Sequence, residues 1–386
     1  MKNLIPYSRQ YIDKDDIRSV IKVLKSDFLT SGPLVEKFQN QINKLCSNKY
    51  SVAVNSATAA LHIACKAMDL KKNDYLWTSA ISFVASANCA LYCGAKFDLV
   101  DIDEETFNIS IPKLKEKLII AKRNKRLPKI LIPVHLGGLS CDMEELSNLA
   151  KKYNFKIIED ASHAFGGKFE NTMIGSCKFS DVTVFSFHPV KPITTGEGGI
   201  ALTNNKKLYL NMKILREHGI EKNKKNFKKK YNFLWYYEQQ TLGFNYRMSD
   251  IHAALGLSQL KKINKFIIKR NFISKQYKIN LRNLPIKFQK EKKGFLSTKH
   301  LEIILVPSKV HQSLFKFLRQ KKIFVNLHYI PLYRHPYYKM KVNSKIYKNS
   351  EIYYKTAISI PCHFGLSNID QNYVIKMIKY FFKKNL

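Results

Sequence analysis

Phe185-Ser186-Phe187-His188-Pro189-Val190-Lys191-Pro192-Ile193-Thr194-Thr195-Gly196-Glu197-Gly198-Gly199 is the stretch on which the fold turns. It continues an apolar run that begins at Val182, and it sets a single lysine between small and aromatic residues ahead of three glycines in four positions. Lysines elsewhere in the chain stand among polar neighbours; this one is positioned. Lysine is the side chain that forms a Schiff base with an aldehyde, and it reacts as the neutral amine, so burial or a nearby cation must lower its pKa. The glycines let backbone pass close to a bulky ring without a Cβ clash. A tight turn with an incidental lysine is the competing reading of this segment taken alone.

Upstream, Phe155-Lys156-Ile157-Ile158-Glu159-Asp160-Ala161-Ser162-His163-Ala164 reads as an apolar strand closed by a carboxylate, Asp160. A pyridoxal phosphate ring needs such a carboxylate at its nitrogen to act as an electron sink. An acidic residue closing a strand is also a common helix cap; its place 31 residues before Lys191, one βαβ step, favours the cofactor reading. Further upstream, Asn55-Ser56-Ala57-Thr58-Ala59-Ala60 sits between a strand ending at Val54 and a helix. Small residues at a helix N-terminus leave amide hydrogens for an anion such as a phosphate, with simple capping as the alternative. Phe83, after a strand ending near Trp77, is placed to stack on a ring or to fill the core.

Around these segments the first 250 residues alternate short apolar runs with helical patterns. Strands are predicted at Tyr50 to Val54, Asp74 to Trp77, Phe97 to Asp101, Lys129 to Val134 and Lys156 to Asp160, and helices at Thr58 to Met68, Ala85 to Cys93 and Met143 to Tyr153. Such alternation implies an α/β fold with a mostly parallel sheet covered on both faces, whose ligands lie beyond the carboxyl ends of the strands. Past Asp250 the pattern becomes one long helix, Ile251 to Tyr277, short strands at Leu301 to Val306 and Phe324 to Leu327, and a final helix at Ile369 to Phe382. The expected organisation is a large domain over 1–250 with an N-terminal arm, and a smaller C-terminal α+β domain over 251–386.

The chain has 386 residues with 45% hydrophobic content, enough for substantial cores. It lacks an apolar run long enough for a membrane helix and an apolar leader, so a cytoplasmic protein is expected. Seven cysteines with no CxxC pair and no metal-like cluster read as reduced, mostly buried residues, and no metal is expected. The formal charge is +37, from 66 basic and 29 acidic residues. Only 10 of the basic residues are Arg, the side chain suited to bidentate base or phosphate recognition, and the lysines are spread end to end. This reads as compositional bias over an ordinary fold, with a non-catalytic nucleic-acid or membrane-surface binder on the same fold as the alternative of another class, and the field would help to capture an anionic nucleotide. Lys222 to Lys230, with six lysines and no periodicity, reads as an exposed loop.

The segments resemble the DegT/DnrJ/EryC1/StrS sugar aminotransferases, pyridoxal-phosphate enzymes of fold type I, the aspartate-aminotransferase-like fold. The likeness runs through nearly the whole chain. It rests on the spacing from Lys191 to Gly196-Glu197-Gly198-Gly199, on Glu159-Asp160-Ala161-Ser162-His163-Ala164 and on Gly243-Phe244-Asn245-Tyr246-Arg247-Met248. Ile5-Pro6-Tyr7-Ser8-Arg9-Gln10, Ser26-Asp27-Phe28-Leu29-Thr30 and Val325-Asn326-Leu327-His328-Tyr329-Ile330-Pro331 are similar to the pseudaminic acid branch. The resemblance implies that Lys191 is the Schiff-base lysine, that Asp160 partners the pyridine nitrogen, and that Ser186, Ala57 and Thr58 hold the phosphate. It further implies Phe83 on the ring, His163 beside the cofactor, and Asn245 reaching the phosphate of a neighbouring subunit in a homodimer. Tyr7, the turn formed by Asp27, Phe28, Leu29 and Thr30, and the turn formed by His328, Tyr329, Ile330 and Pro331 would line the sugar-nucleotide site.

The activity implied is amino transfer from L-glutamate to C4 of a UDP-linked 4-keto-6-deoxy-N-acetylhexosamine. A C4 aminotransferase for another nucleotide sugar, of the legionaminic, bacillosamine or GDP-perosamine type, is the nearest alternative. A related group of sugar dehydratases has histidine at the lysine position, and Lys191 speaks against it. One departure is His300-Leu301-Glu302, where the family usually has His-Leu-Tyr.

Overall fold

The computed structural model describes residues 4–229, 233–340 and 345–385. Two helices, α1 (Lys14–Leu24) and α2 (Pro33–Cys46), precede β1 (Tyr50–Val54) and α3 (Ala57–Ala67). Then come β2 (Tyr75–Ser79), α4 (Ala85–Tyr92), β3 (Lys96–Val100), α5 (Ile111–Arg123), β4 (Ile130–Ile132), α6 (Met143–Tyr153) and β5 (Lys156–Asp160). A small hairpin, β6 (Lys168–Phe169) and β7 (Thr172–Met173), leads to β8 (Val182–Ser186), β9 (Gly199–Thr203) and α7 (Lys206–Arg216). A second hairpin pairs β10 (Ile220–Glu221) with β11 (Glu238–Gln239). The remainder is α8 (Asp250–Leu260), α9 (Ile263–Leu281), β12 (Lys287–Phe288), β13 (Glu302–Leu305), α10 (Ser308–Gln320), α11 (Lys348–Thr356), β14 (Ala357–Ile360) and α12 (Asn368–Asn385).

Seven strands form the central sheet in the order β1-β9-β8-β5-β4-β2-β3. Its pairs are parallel except for those of β9, which runs against both β1 and β8. Successive residues point to opposite faces. Val52, Val54, Val182, Val184 and Ala201 therefore pack with α3 and α4 on one side, while Ala53, Phe185, Ile200 and Leu202 pack with Phe38, Ile42 and Phe165 on the other. Both faces are buried, which is why these strands read as continuous apolar runs. The parallel arrangement also carries the ends of β1, β2, β5 and β8 to one edge of the sheet, with Gly199 at the start of β9 beside them.

The long C-terminal helix expected from periodicity is two helices. The break at Lys261 and Lys262 is held by Lys262 Nζ, which bonds Asp13 Oδ1 at 2.5 Å and Asp16 Oδ1 at 2.9 Å and so ties the joint to the start of α1. Phe324 to Leu327 is not a strand: it holds one isolated bridge, Asn326 to Ser359, and a second, Ile5 to Ile323, precedes it. An antiparallel sheet, β12-β13-β14, packs with α9, α10 and α12 around Ile273, Tyr277, Ile304, Leu314, Ile358 and Ile378, and Ile5 of the N-terminal segment lies in the same core. Lys222, Lys224, Lys225, Lys228 and Lys229 are exposed, with a single 3-10 turn at Lys224–Asn226; Lys230 lies outside the described residues. Among the described residues no helix is long and apolar enough to cross a membrane.

Candidate active site

Lys191 is carried on a closed loop between β8 and β9. Phe187 N donates to Gly198 O at 2.9 Å, Thr195 N to Phe187 O at 3.0 Å, and Thr194 Oγ1 to Phe187 O at 3.0 Å, so both ends of the loop are pinned together. Within it, Lys191 N donates to His188 O, and Ser8 Oγ from the N-terminal segment donates to Val190 O at 3.1 Å. Gly196 makes the return at φ +82°, a conformation that side chains resist. Burial pulls the Lys191 pKa down from 10.5 to about 8, while the charge of nearby Asp160 pushes the other way. The amine is thus set up to react as a neutral base near neutral pH.

Asp160 ends β5 and is buried. Its Oδ2 accepts from Ser86 Oγ at 2.6 Å and its Oδ1 from Ser162 N at 3.2 Å. The preceding Glu159 points to the opposite face, where its carboxylate accepts from Thr183 Oγ1 at 2.9 Å and Ser180 Oγ at 2.5 Å and meets His135 Nε2 at 2.9 Å. Burial raises the Glu159 pKa, but the bonds from His135, Ser180 and Thr183 outweigh it and hold the carboxyl below its usual range. Cys141 N donates to His135 Nδ1 at 3.1 Å, which leaves the ring proton on Nε2 for Glu159. The strand alternation therefore separates a structural carboxylate from one turned toward Lys191.

A row of backbone joins Ser186, Gly199 and the start of α3. Ser186 pairs with Gly199, and Gly199 pairs with Val54, the last residue of β1. A Cβ on Gly199 would overlap Ser56 and the amide of Ala57, so only glycine lets β9 come this close. Ser56 caps α3 by accepting from Ala59 N at 3.1 Å, while the amides of Ala57 and Thr58 open the helix ahead of any intrahelical acceptor. The result is a helix N-terminus with a serine across from it, the usual seat of a phosphate.

The aromatic side of the site is built from two turns. Phe83 is exposed, with its ring 5.8 Å from that of Tyr329. Gly137 N donates to His163 Nδ1 at 3.3 Å, so His163 Nε2 bears the proton and donates to Tyr329 Oη at 3.0 Å. Burial and then the Lys191 charge hold the His163 pKa well below its usual value. The His328 ring lies tilted against Tyr7 with centroids 4.8 Å apart and shares a hydrogen bond with Ser359 Oγ at 2.9 Å, and its pKa is lowered to about 3 by burial, with Lys191 adding to the shift. Ile330 is exposed and Pro331 is buried. Lys191, Asp160, His163, His328, Tyr329, Tyr7 and Phe83 therefore form one neighbourhood.

Two expected groups stand apart from it. Asn245 is exposed and bridges Glu217, and no hydrogen bond or ring contact links it to the Lys191 cluster among the described residues. The turn of Asp27, Phe28, Leu29 and Thr30 is exposed. It packs on the start of α8 through a bridge from Thr30 to Ser249 and a bond from Asp250 N to Leu29 O. Asp27 and Phe28 line a cavity of about 710 Å³ together with Leu34, Leu257 and Lys261. The buried carboxylate of Asp250 fixes this turn by accepting from Gly32 N and Leu34 N. The start of α8 also touches the lysine loop, since a Cβ on Gly196 would lie 3.6 Å from the His252 ring. Glu302 is buried; burial works against the charge on Lys299, but Glu302 and Glu291 outweigh it and raise the Lys299 pKa.

Sequence reasoning missed Ser86, Ser82, Glu159 with His135, and Asp250. The family model for the DegT/DnrJ/EryC1/StrS aminotransferase family matches residues 10–379. This chain belongs to that family. It is 39% identical over 378 residues to a UDP-4-amino-4,6-dideoxy-N-acetyl-beta-L-altrosamine transaminase of Campylobacter jejuni, covering 96% of each chain. Among solved structures it is similar to Helicobacter pylori PseC, an aminotransferase involved in the biosynthesis of pseudoaminic acid, with a TM-score of 0.89 and 30% identity over 99% of this chain and 100% of that one. It is also similar to the PLP-form of a sugar aminotransferase, Spr1654, from Streptococcus pneumoniae, with a TM-score of 0.88 and 26% identity over the full length of both. The lysine loop, the Asp160 strand and the α3 N-terminus of this DegT/DnrJ/EryC1/StrS aminotransferase thus lie on the fold of that family.

Proposed function

We propose that this chain uses pyridoxal phosphate to move an amino group from L-glutamate to C4 of a UDP-linked 4-keto-6-deoxy-N-acetylhexosamine. The products are 2-oxoglutarate and a UDP-4-amino-4,6-dideoxy-N-acetyl-β-L-altrosamine, the latter being the sugar that the name of the Campylobacter jejuni relative carries. The observation that carries the reading is a half-buried lysine, its pKa lowered to about 8, beside a carboxylate held by two donors, at the carboxyl edge of a parallel sheet. The residues suit the cofactor. Gly199 lets β9 lie against the start of α3, so the open amides of Ala57 and Thr58 together with Ser186 suit its phosphate, and Asp160 suits its ring nitrogen.

Bound there, pyridoxal phosphate supplies an aldehyde that takes up the amino group and a ring that accepts the electrons released when a C–H bond breaks. Lys191 Nζ, neutral near its pKa, takes the proton from Cα of L-glutamate and later returns one at C4 of the sugar. Asp160 would hold the ring nitrogen and Phe83 would cover the ring, while His163 directs its Nε2–H to Tyr329 so that the Tyr329 hydroxyl proton is free to face the reacting groups. Tyr7 and the His328–Pro331 turn line the sugar side. The enzyme acts as a homodimer in which Asn245 and the Asp27–Thr30 turn complete the partner subunit's site, in keeping with their exposure here. A division into residues 1–250, holding the cofactor, and 251–386, closing over the sugar, goes with this reading. So does a cytoplasmic setting, since all seven cysteines are free.

The test is spectroscopic. The loaded protein should show a visible cofactor band that shifts when L-glutamate is added and returns when the UDP-linked keto-sugar follows. A band that responds to L-glutamate and to a GDP-linked sugar, but not to the UDP-linked one, would move the assignment to the alternative substrate. Absence of any band would end the reading.

A further inference from the structure

Three buried residues form a hydrogen-bonded chain from the turn after β2 to the site. Ser82 is 1% exposed, Ser86 0% and Asp160 5%. Ser82 Oγ and Ser86 Oγ are 2.7 Å apart, and Ser86 Oγ is 2.6 Å from Asp160 Oδ2. A hydroxyl has one proton and a carboxylate has none to give, so Ser86 donates to Asp160 and has only lone pairs left for Ser82. Ser82 therefore donates to Ser86, and it shares that proton with its second acceptor, Phe83 O, at 3.1 Å. The order of donation is fixed: Ser82 to Ser86 to Asp160.

This order bears on the chemistry. With Ser86 on Oδ2 and Ser162 N on Oδ1, each oxygen of Asp160 already receives a donor. That is the arrangement of an acceptor and not of a neutral acid, and charge-assisted bonds of this kind are short and strong. α4 begins at Ala85, so its first turn holds the Ser86 hydroxyl on a rigid element, and the last residue of β5 supplies the carboxylate. The side chain that meets the ring nitrogen is thereby fixed in angle and kept as a proton acceptor.

We propose that Ser86, backed by Ser82, is a positioning residue: acting through Asp160, it keeps the shared proton on the ring nitrogen and not on the carboxylate. The proposal rests on the reading of this site as a pyridoxal phosphate site. In Ser86→Ala the hydroxyl is lost while helix propensity rises, so the fold should persist. The shared proton should then move toward Asp160, and the ring should become a poorer electron sink.

The experiment loads the protein with pyridoxal phosphate labelled with ¹⁵N in the ring and reads the ring ¹⁵N chemical shift. Donor half-reaction rates are measured in parallel by single turnover with L-glutamate. The unsubstituted protein should show a protonated ring nitrogen. Ser86→Ala should move the signal toward the unprotonated value and slow the half-reaction by roughly tenfold, the loss expected for one hydrogen bond to a charged group, with cofactor affinity changed far less. Ser82→Ala, which leaves the Ser86 bond in place, should shift the signal in the same direction by a smaller amount. An unprotonated ring in the unsubstituted protein would overturn the reading of Asp160 on which the proposal stands. A protonated ring there, with an unmoved signal in both variants, would overturn the proposal alone. Loss of affinity and rate in equal measure, with the ¹⁵N signal unmoved, would assign Ser86 a packing role and likewise overturn it.

Discussion

Lys191 offers the most direct quantitative test, because its burial sets the pH at which it can react. With a pKa of about 8, about a tenth of the lysine is neutral at pH 7, against roughly one part in three thousand for a solvated lysine at 10.5, a ratio of about 300. The assay is stopped-flow capture of pyridoxal phosphate by the cofactor-free protein between pH 6 and pH 11. The observed rate should climb tenfold per pH unit and level off near pH 8. Asp160 raises the Lys191 pKa, so Asp160→Asn should move the inflection lower whatever it does to the plateau. The sign for stability follows from the same shift. Between about pH 8 and 10.5 the unfolded chain holds a proton on this lysine that the folded chain has released, so this group's contribution to stability rises with pH across that window. A capture rate still climbing at pH 10 would refute the reasoning, since that is the behaviour of an exposed amine.

Gly199→Ala should lower stability by about 1–3 kcal/mol, because the new Cβ meets backbone at Ser56 and Ala57 and not a movable side chain, and it should weaken cofactor binding; urea denaturation and a cofactor titration check both. His135→Leu leaves the buried Glu159 Oε2 without its partner and should cost about 2–4 kcal/mol in urea denaturation, with a loss below about 1 kcal/mol counting against the pair. Lys191→Ala and Asn245→Ala should each be inactive, yet an equal mixture re-equilibrated as dimers should regain about a quarter of the activity, because half of the dimers would carry one intact site of two. No recovery on mixing would contradict a site shared between protomers.

The strands and the ends that matter for chemistry were legible because a sheet buried on both faces writes itself as apolar runs. Tyr50–Val54, Lys156–Asp160 and Met143–Tyr153 fall where the pattern places them. The N-terminal helices α1 and α2 carry regular apolar stripes, Ile17, Val20, Ile21 and Leu24 in the first and Val35, Phe38 and Ile42 in the second, yet they were not read, and the buried contacts that fix them, Asp16 with Gln259 and Val35 with Asp250, lie more than 200 residues away. The break between α8 and α9 was hidden for the same reason, as Lys262 ends the first helix by reaching Asp13 and Asp16. β9 could not be recognised as antiparallel, because its partner Val54 is distant and the close approach at Gly199 depends on the loop that holds Lys191. Within the site, Lys191, Asp160 and the Ala57–Thr58 turn carry motif spacing. Ser86 and Ser82 do not: a serine in a helix is unremarkable until the fold sets it 2.6 Å from Asp160. Glu159 shows the opposite case, a carboxylate beside Asp160 in sequence that alternation sends to the other face and into a bond with His135.

The central claim is that one lysine among 56 carries the cofactor. Borohydride reduction of the loaded protein followed by peptide mass spectrometry tests it directly. The expected result is the reduced cofactor on the peptide containing Lys191 and on no other, with no label in Lys191→Ala. Label on a different lysine, or an equal yield from the variant, would contradict it.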